Sequence, residues 1–421
     1  MKQLPFGTAD MMLPDFSVTD GEKWAVIACD QYTSEPAYWQ EVADKVGDAP
    51  STYRMILPEL YLNDRREERV CEINQTMRDY LAKGIFKTYK NTLIYLERKC
   101  RSGVVRHGLV GQIDLDAYSY EPDAKSLIRA TEGTVISRIP PRVEVRRDAE
   151  LEMPHVMLLL DDADGRVIEP LADNKKDFEK AYSFPLMMGG GEVDAYFLSD
   201  AEITRILSAL HDLMAAGGDT PFLFAVGDGN HSLASAKAHY EALKKELGAQ
   251  KAATHPARYA LVELVNIHDA ALEFEPIYRV VFGAEQSILT ELRAYADRCA
   301  SDESCKDNGA QSIRCITKDG ESDVLFAHGS HSLTVGSLQI FLDDYIRRHP
   351  SVEVDYIHGV QSLRSLANKD GAVGFLFDGM EKSELFPSVA KDGPLPRKTF
   401  SMGEAWDKRY YLEARRIRAE G

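Results

Sequence analysis

Residues 221–232 have the sequence PFLFAVGDGNHS and predict an apolar strand that runs through a glycine turn into a helix. The first six residues form an apolar run of strand length, and two glycines supply the turn. A helical pattern then continues to about residue 247. A turn of this kind leaves backbone N–H groups unpaired at the helix start, where the helix dipole adds partial positive charge. The stretch therefore favours the binding of phosphate.

Strand and helix patterns alternate on both sides of this stretch. Further strands are predicted over residues 24–29, 92–97, 108–114, 156–161, 259–265, 277–282 and 373–377. Further helices are predicted over residues 65–83, 200–216 and 338–348. This alternation predicts a mixed α/β (α+β) fold in which some of the strands pair antiparallel.

Two polar segments interrupt the pattern. Residues 300–312 are polar and predict a flexible loop or a domain joint. Residues 129–142 contain several charged side chains beside two adjacent prolines and predict a charged loop. We expect a first domain over residues 1–283 and a smaller C-terminal α+β region over residues 284–421.

Composition and charge exclude several classes of protein. The 421 residues include 50 basic and 67 acidic side chains, so the formal net charge is −17. A negative field of this size repels nucleic acid and anionic membrane surfaces. No run approaches the roughly 18–20 apolar residues that span a bilayer, and the first residues do not form a signal peptide. We therefore expect a cytoplasmic protein that binds neither nucleic acid nor membrane.

Motifs of three common site types are absent from the sequence. The six cysteines include no Cys-x-x-Cys pair, so reduced structural thiols are expected. The sequence contains neither the Gly-x-Ser-x-Gly elbow of hydrolases nor the His-Glu-x-x-His spacing of zinc proteases. The glycine turn remains the most informative feature.

The side chains of the glycine turn suit phosphate chemistry. Asp228 could hold a divalent metal that bridges phosphates, and His231 could donate to a phosphate oxygen or transfer a proton. The alternative is an ordinary helix start, with Asp228, Asn230 or Ser232 as its cap. Spacing alone favours that alternative, because six residues with two glycines are less specific than a Walker loop.

Two carboxylates flank the segment CDQYTSEP at residues 29–36, where a predicted strand ends. Asp30 and Glu35 are placed to orient a hydroxyl group or to accept its proton. Glu35 directly precedes Pro36, which is also typical of a helix start.

Arginines near the two prolines are candidate anion ligands. Arg129, Arg138 and Arg142 lie close together in the sequence with Glu132. Guanidinium groups match carboxylate and phosphate geometry, whereas the alternative is a solvated charged loop.

Several segments together resemble a known family. They are residues 29–36 (CDQYTSEP), 126–134 (SLIRATEGT), 138–142 (RIPPR), 226–232 (VGDGNHS) and 397–403 (RKTFSMG). In this order they resemble the bacterial domain-of-unknown-function family 1015 (DUF1015), and the likeness extends over nearly the whole chain.

The resemblance implies a ParB/sulfiredoxin-like nucleotide domain over residues 1–283, because the family is similar to that superfamily. The superfamily includes free-serine kinases, which pass a nucleotide phosphate to the hydroxyl of serine and carry Asp-Gly-His-His-Arg at a helix start. Residues 228–232 lie in the matching place. Asn230 replaces a histidine and Ser232 replaces the arginine, so Arg138, Arg142 or Arg279 becomes the candidate for the missing phosphate contact.

The resemblance thus implies a nucleotide-dependent phosphotransferase that acts on a small hydroxyl metabolite, with serine as the first choice and ATP or ADP with Mg²⁺ as cofactor. The implied catalytic residues are Asp30, Glu35 and His231. The implied nucleotide-binding residues are Gly227, Asp228, Gly229, Asn230, Ser232, Arg138 and Arg142, with Asp228 as metal ligand. The alternative, favoured by the missing arginine, is a non-catalytic nucleotide-sensing or partner-binding protein. A homodimer is compatible with both.

Overall fold

The structure is a computed structural model that describes residues 3–153, 155–284 and 287–419. The chain divides into two compact units. The first consists of Met1–Leu272 and Glu404–Gly421, and the second consists of Glu273–Gly403. All of residues 284–421 are expected in the C-terminal region, whereas the last segment, Glu404–Gly421, belongs to the first unit.

The first unit combines a large sheet with helices. Its strands before the second unit are β1 (Phe6–Gly7), β2 (Ala9–Pro14), β3 (Val26–Ile27), β4 (Phe86–Thr92), β5 (Ile94–Lys99), β6 (Val105–Asp114), β7 (Tyr118–Ser119), β8 (Ile128–Ala130), β9 (Leu151–Glu152), β10 (Met157–Leu160), β11 (Glu179–Pro185), β12 (Glu192–Phe197), β13 (Phe224–Asp228) and β14 (Tyr259–Asn266). Its helices are α1 (Gly21–Trp24), α2 (Pro36–Val46), α3 (Arg66–Ala82), α4 (Ile139–Arg147), α5 (Glu169–Asn174), α6 (Asp200–Ala216), α7 (Asn230–Leu247) and α8 (Ala249–Ala253).

The second unit contains an antiparallel sheet with its own helices. The strands of this sheet are β15 (Phe274–Phe282), β16 (Gln311–Thr317), β17 (Gly320–Phe326), β18 (Glu353–His358), β19 (Ala372–Leu376) and β20 (Phe400–Met402). The helices are α9 (Ser287–Ser301), α10 (Thr334–Arg348), α11 (Val360–Ala367) and α12 (Leu385–Asp392). Two short strands of the first unit follow, β21 (Tyr410–Tyr411) and β22 (Arg415–Arg416).

The main sheet of the first unit is mixed. Its strand order is β11-β12-β5-β6-β14-β10-β13-β8-β7, with β1 added to β6. Strand β10 pairs parallel with β14, and β8 pairs parallel with β13 and with β7. The other pairs of this sheet are antiparallel. The predicted mixed α/β class with antiparallel pairs is therefore confirmed.

Both faces of this sheet are buried. Along β5, Ile94 and Leu96 join one apolar cluster, while Tyr95 joins the cluster on the other face together with Leu93, which directly precedes the strand. Successive side chains of a strand point to opposite faces, so a sheet covered on both sides needs apolar residues at every position. This explains why the strands appear in the sequence as continuous apolar runs rather than as alternating patterns.

The C-terminal segment is tied to the first unit by backbone pairing and buried charge. Strand β21 pairs with β3, and β22 pairs with β9. Arg409 contacts the carboxylates of Glu263 and Glu413, each at 2.7 Å, and all three side chains are at most 3% exposed. The Tyr182 hydroxyl donates to Glu413 at 2.6 Å. These paired charges hold the end of the chain against the sheet.

Two sequence expectations need correction. The strand predicted over residues 24–29 is limited to Val26–Ile27, because Asp20 caps a short helix that ends at Trp24. Residues 300–312 are not a domain joint, since they lie within the second unit. There the buried side chain of Asn308 donates to the Gly329 carbonyl at 2.8 Å, which fixes the segment.

Arg279, a candidate phosphate ligand, is fully buried in the second unit. Its guanidinium donates to the carbonyls of Ile277, Lys398 and Arg397 and to the side chain of Gln339. The side chain therefore stabilises the segment before β20. No helix of the described residues is both long and apolar enough to cross a membrane.

Candidate functional site

The glycine turn has the predicted strand–turn–helix form. Strand β13 ends at Asp228, and α7 begins at Asn230. Gly229 between them has φ +79°, in the left-handed region that favours glycine. A Cβ atom at this position would lie 3.1 Å from the Val156 Cα atom. Glycine is therefore needed both for the backbone conformation and for the close approach to the neighbouring chain.

The polar side chains of the turn do not act as the helix cap. Gly229 occupies the N-cap position. Among the described residues, the only backbone donor to the Asp228 carboxylate is the adjacent Gly229 N–H, at 2.9 Å. The side-chain oxygen of Asn230 is buried and has no hydrogen-bond partner among the described residues. An unpaired buried polar atom is costly, so this oxygen is available to a ligand or water.

A buried histidine joins the turn to the loop after β3. His155 Nε2 lies 3.5 Å from the Asp30 carboxylate and 3.3 Å from Ser232 Oγ. His155 Nδ1 lies 2.6 Å from the Tyr411 hydroxyl, which β21 positions. The Cys29 N–H donates to the same hydroxyl at 3.4 Å. We call His155, Asp30, Ser232 and Tyr411 the polar cluster.

The electrostatics of the polar cluster favour an ion pair. Burial alone would lower the pKa of His155, but the charge and hydrogen bond of Asp30 raise it above its usual value. Burial would likewise raise the pKa of Asp30, yet His155 holds it well below the usual range. Each group thus favours the charged form of the other, and a protonated His155 can donate through both of its nitrogens.

His231 has the opposite protonation preference. Burial, followed by the positive charges of Arg142 and Arg138, lowers its pKa to about 4. The Val135 N–H donates to His231 Nε2 at 3.3 Å, so the proton of the neutral ring resides on Nδ1. His231 therefore presents one neutral N–H donor and fixes the segment before α4.

Residues 138–142 form a helix start rather than the predicted loop. Helix α4 begins at Ile139, and the two prolines lie in its first turn, where a missing N–H costs no helical hydrogen bond. Arg142, half-buried on this helix, pairs with Glu59 and also donates to the Arg138 carbonyl at 2.7 Å. The Arg138 side chain is exposed.

Arg129 has a structural role. It is 7% exposed, donates to the Ser126 carbonyl at 3.0 Å and lies over the Phe222 ring at 4.6 Å. Stacking on an aromatic face stabilises a guanidinium group in this way. Of Arg129, Arg138 and Arg142, Arg142 is the one that lines a cavity beside the glycine turn.

The structure separates the two candidate carboxylates. Asp30 lies at the polar cluster, whereas Glu35 is exposed at the start of α2, directly before Pro36. Lys408, which sequence analysis did not single out, lies 3.4 Å from the Asp228 carboxylate. No local pattern marks Lys408 or His155, because both meet the turn through the tertiary fold.

The lowered pKa of His231 predicts how the stability of the fold depends on pH. An unfolded histidine titrates near pH 6.5, so between about pH 6.5 and 4 the unfolded state binds more protons than the folded state. Stability should therefore fall as the pH falls through this window, and His231→Gln should reduce that loss. Urea denaturation at pH 7 and pH 5 measures it. His358→Gln, at an exposed position, serves as control, and equal pH dependence in both variants would contradict the assignment.

Comparisons with solved structures find weak overall similarity. A free serine kinase in complex with AMP is 11% identical, covers 72% of this chain and 90% of its own, and has a TM-score of 0.37. A conserved hypothetical protein from Pyrococcus furiosus is 12% identical, covers 73% and 94%, and has a TM-score of 0.34. C-terminally truncated SbnI from Staphylococcus aureus is 10% identical, covers 70% and 82%, and has a TM-score of 0.34.

A comparison with curated proteins finds no match. The family model described as Protein of unknown function (DUF1015) matches residues 14–345, which is most of the chain. The matched range contains four of the five segments on which the resemblance in sequence rested, and residues 397–403 lie outside it. The chain therefore belongs to the DUF1015 family.

Proposed function

We propose that this protein is a nucleotide-dependent phosphotransferase that acts on the hydroxyl group of a small metabolite. The observation that carries the proposal is the glycine turn at the start of α7 with the Asp30–His155 ion pair beside it. Phosphoryl transfer requires a phosphate cradle, cationic groups and one oriented hydroxyl, with little covalent chemistry from the protein. The turn and the polar cluster supply groups of these kinds.

The phosphates of ATP or ADP would bind at the start of α7. Backbone N–H groups from Asn230 onward and the helix dipole favour negative charge there. The neutral Nδ1–H of His231 is a further donor, whereas the unpaired side-chain oxygen of Asn230 can only accept, from a nucleotide hydroxyl or a water. Arg142 and Lys408, each paired with one carboxylate, are the nearby cations.

Asp228 is the proposed ligand for Mg²⁺. Among the described residues no three His, Cys, Asp or Glu side chains converge as a complete metal site. This fits Mg²⁺, which is usually held by one or two carboxylates together with water and substrate phosphates. When bound there, the ion would neutralise charge on the phosphates.

Asp30 is the proposed proton acceptor. The oxygen of the acceptor hydroxyl forms a bond to the terminal phosphorus while the bond from that phosphorus to the bridging oxygen breaks. The hydroxyl proton passes to Asp30, and the shortened nucleotide leaves. His155 is a positioning residue that orients the carboxylate. We prefer Asp30 to the second candidate, Glu35, because Glu35 is exposed at a helix start.

The direct test is turnover. Purified protein is incubated with ATP or ADP, Mg²⁺ and a panel of hydroxyl compounds that includes L-serine, and phosphorylated product is detected by mass spectrometry. Product that requires both nucleotide and hydroxyl compound supports the proposal. Folded protein that gives no product with either donor contradicts it.

Asp228→Asn should abolish the effect of Mg²⁺ on ATP affinity and leave metal-free binding at least as tight. The amide is a poor Mg²⁺ ligand, and its neutrality removes repulsion of phosphate. Calorimetric titration of ATP with and without Mg²⁺ measures both effects. Asp164→Asn is the control, since Asp164 is 79% exposed. Retained Mg²⁺ dependence in Asp228→Asn would refute the metal assignment.

The second candidate function is a non-catalytic nucleotide sensor. It is favoured by Ser232, which stands where the free-serine kinases carry arginine and instead lies 3.3 Å from His155. A sensor would bind ATP or ADP in the titration above and give no product in the turnover assay.

A further inference from the structure

An apolar cavity of about 160 Å³ borders the polar cluster in the first unit. His155, Ser232 and Tyr411 line it, so the polar cluster forms part of its wall. The remaining wall is mainly apolar and comes from α3, α7, β14 and the segments around them. Its principal side chains are Met55, Leu57, Met77, Leu151, Leu233 and Leu261, all buried.

The charged side chains on the wall form ion pairs, although Arg146 Nε has no hydrogen-bond partner among the described residues. Arg142 pairs with Glu59, and Arg146 pairs with Glu152. Burial raises the pKa of the Cys29 thiol to about 12, so the thiol is uncharged and behaves as part of the apolar wall. A ligand inside the cavity would therefore meet mainly apolar surface, apart from the polar cluster and the two ion pairs of Arg142 and Arg146.

This environment does not suit the charged groups of free serine. An ammonium loses its hydration there without a free anionic partner, because the wall carboxylates of Glu59 and Glu152 are already paired with arginine. An apolar ring or branched chain gains from the same transfer. Apolar cavities of roughly 150 Å³ are large enough to bind a benzene-sized molecule.

We propose that the cavity binds the apolar group of a small amphipathic alcohol, whose hydroxyl lies against the polar-cluster side chains that line the cavity, His155, Ser232 and Tyr411. The acceptor class is thus a hydroxyl compound with a compact ring or branched chain, rather than serine. The identification of this molecule as the phosphoryl acceptor rests on the proposed function, whereas its binding in the cavity does not.

Benzyl alcohol is a suitable probe, with L-serine as the polar comparison. Binding to the full chain is measured by calorimetry and by saturation-transfer NMR. We expect saturable binding of benzyl alcohol at least about tenfold tighter than that of L-serine. Toluene, which has the ring without the hydroxyl, should compete for the same site.

A pair of variants on α7 tests the location. Ala236→Leu fills the cavity from a buried wall position, and Ala242→Leu makes the same change at an exposed position of the same helix. Benzyl alcohol affinity should fall at least about tenfold in the first and remain unchanged in the second. If Ala236→Leu does not fold, the smaller change Ala260→Val on the opposite wall replaces it.

The outcomes separate this inference from the proposed function. Absence of saturable benzyl alcohol binding, or equal effects of the two leucine variants, overturns the inference even if ATP binds. Cavity-dependent binding of benzyl alcohol supports it, and if the same protein binds no ATP, the proposed function alone fails.

Discussion

Asp30→Asn should lower the rate of phosphoryl transfer roughly 10²- to 10⁴-fold, the usual contribution of a positioned proton acceptor. Asparagine keeps the size of the side chain but cannot take up the hydroxyl proton. Nucleotide affinity should stay nearly unchanged, because the phosphates are proposed to bind at α7. Rates are measured by product formation and affinities by calorimetry on the same preparation.

A spectroscopic measurement tests the contact between Asp30 and His155 on which this assignment depends. The charge of Asp30 raises the pKa of His155, so Asp30→Asn should lower that pKa in an NMR titration of the imidazole. Glu35→Gln is the matched control at an exposed carboxylate and should retain full activity. If Glu35→Gln loses turnover while Asp30→Asn retains it, the roles assigned here are wrong.

Glu413→Ala should destabilise the first unit by about 3–5 kcal/mol, the typical cost of removing one partner of a buried ion pair. The change removes one of the carboxylates that contact Arg409, and it leaves the buried Tyr182 hydroxyl without its acceptor. Denaturation in guanidinium chloride, followed by tryptophan fluorescence, measures the change in the free energy of unfolding.

The matched control is Glu192→Ala. Glu192 contacts Lys99 at 3.4 Å, and both side chains are more than half exposed. Surface pairs of this kind contribute about 0–1 kcal/mol. Similar losses of stability in both variants would show that the buried network does not hold the C-terminal segment.

The main elements around the turn could be predicted from the sequence. The helices at Asp200–Ala216 and Asn230–Leu247 and the strand before the turn agree with the apolar periodicity and glycine spacing. The start of α4 was predicted as a loop, because adjacent prolines usually interrupt helices. In the first turn of a helix a proline costs no helical hydrogen bond. That the two prolines occupy the first turn of α4 can be seen only once the start of the helix is known.

Composition, local periodicity and motif order determined the fold class, the phosphate-type turn and the resemblance to a family. These signals depend on residues close together in the chain, so the sequence carries them directly. The tertiary structure decided three other features. It places Asp30 and Ser232 beside His155, it places Lys408 beside Asp228, and it forms the apolar cavity. They depend on strand order and on the pairing of the last segment with β3 and β9. The charge states follow from the same contacts, because burial and a neighbouring charge together set the pKa of His155 above its usual value and that of His231 below it.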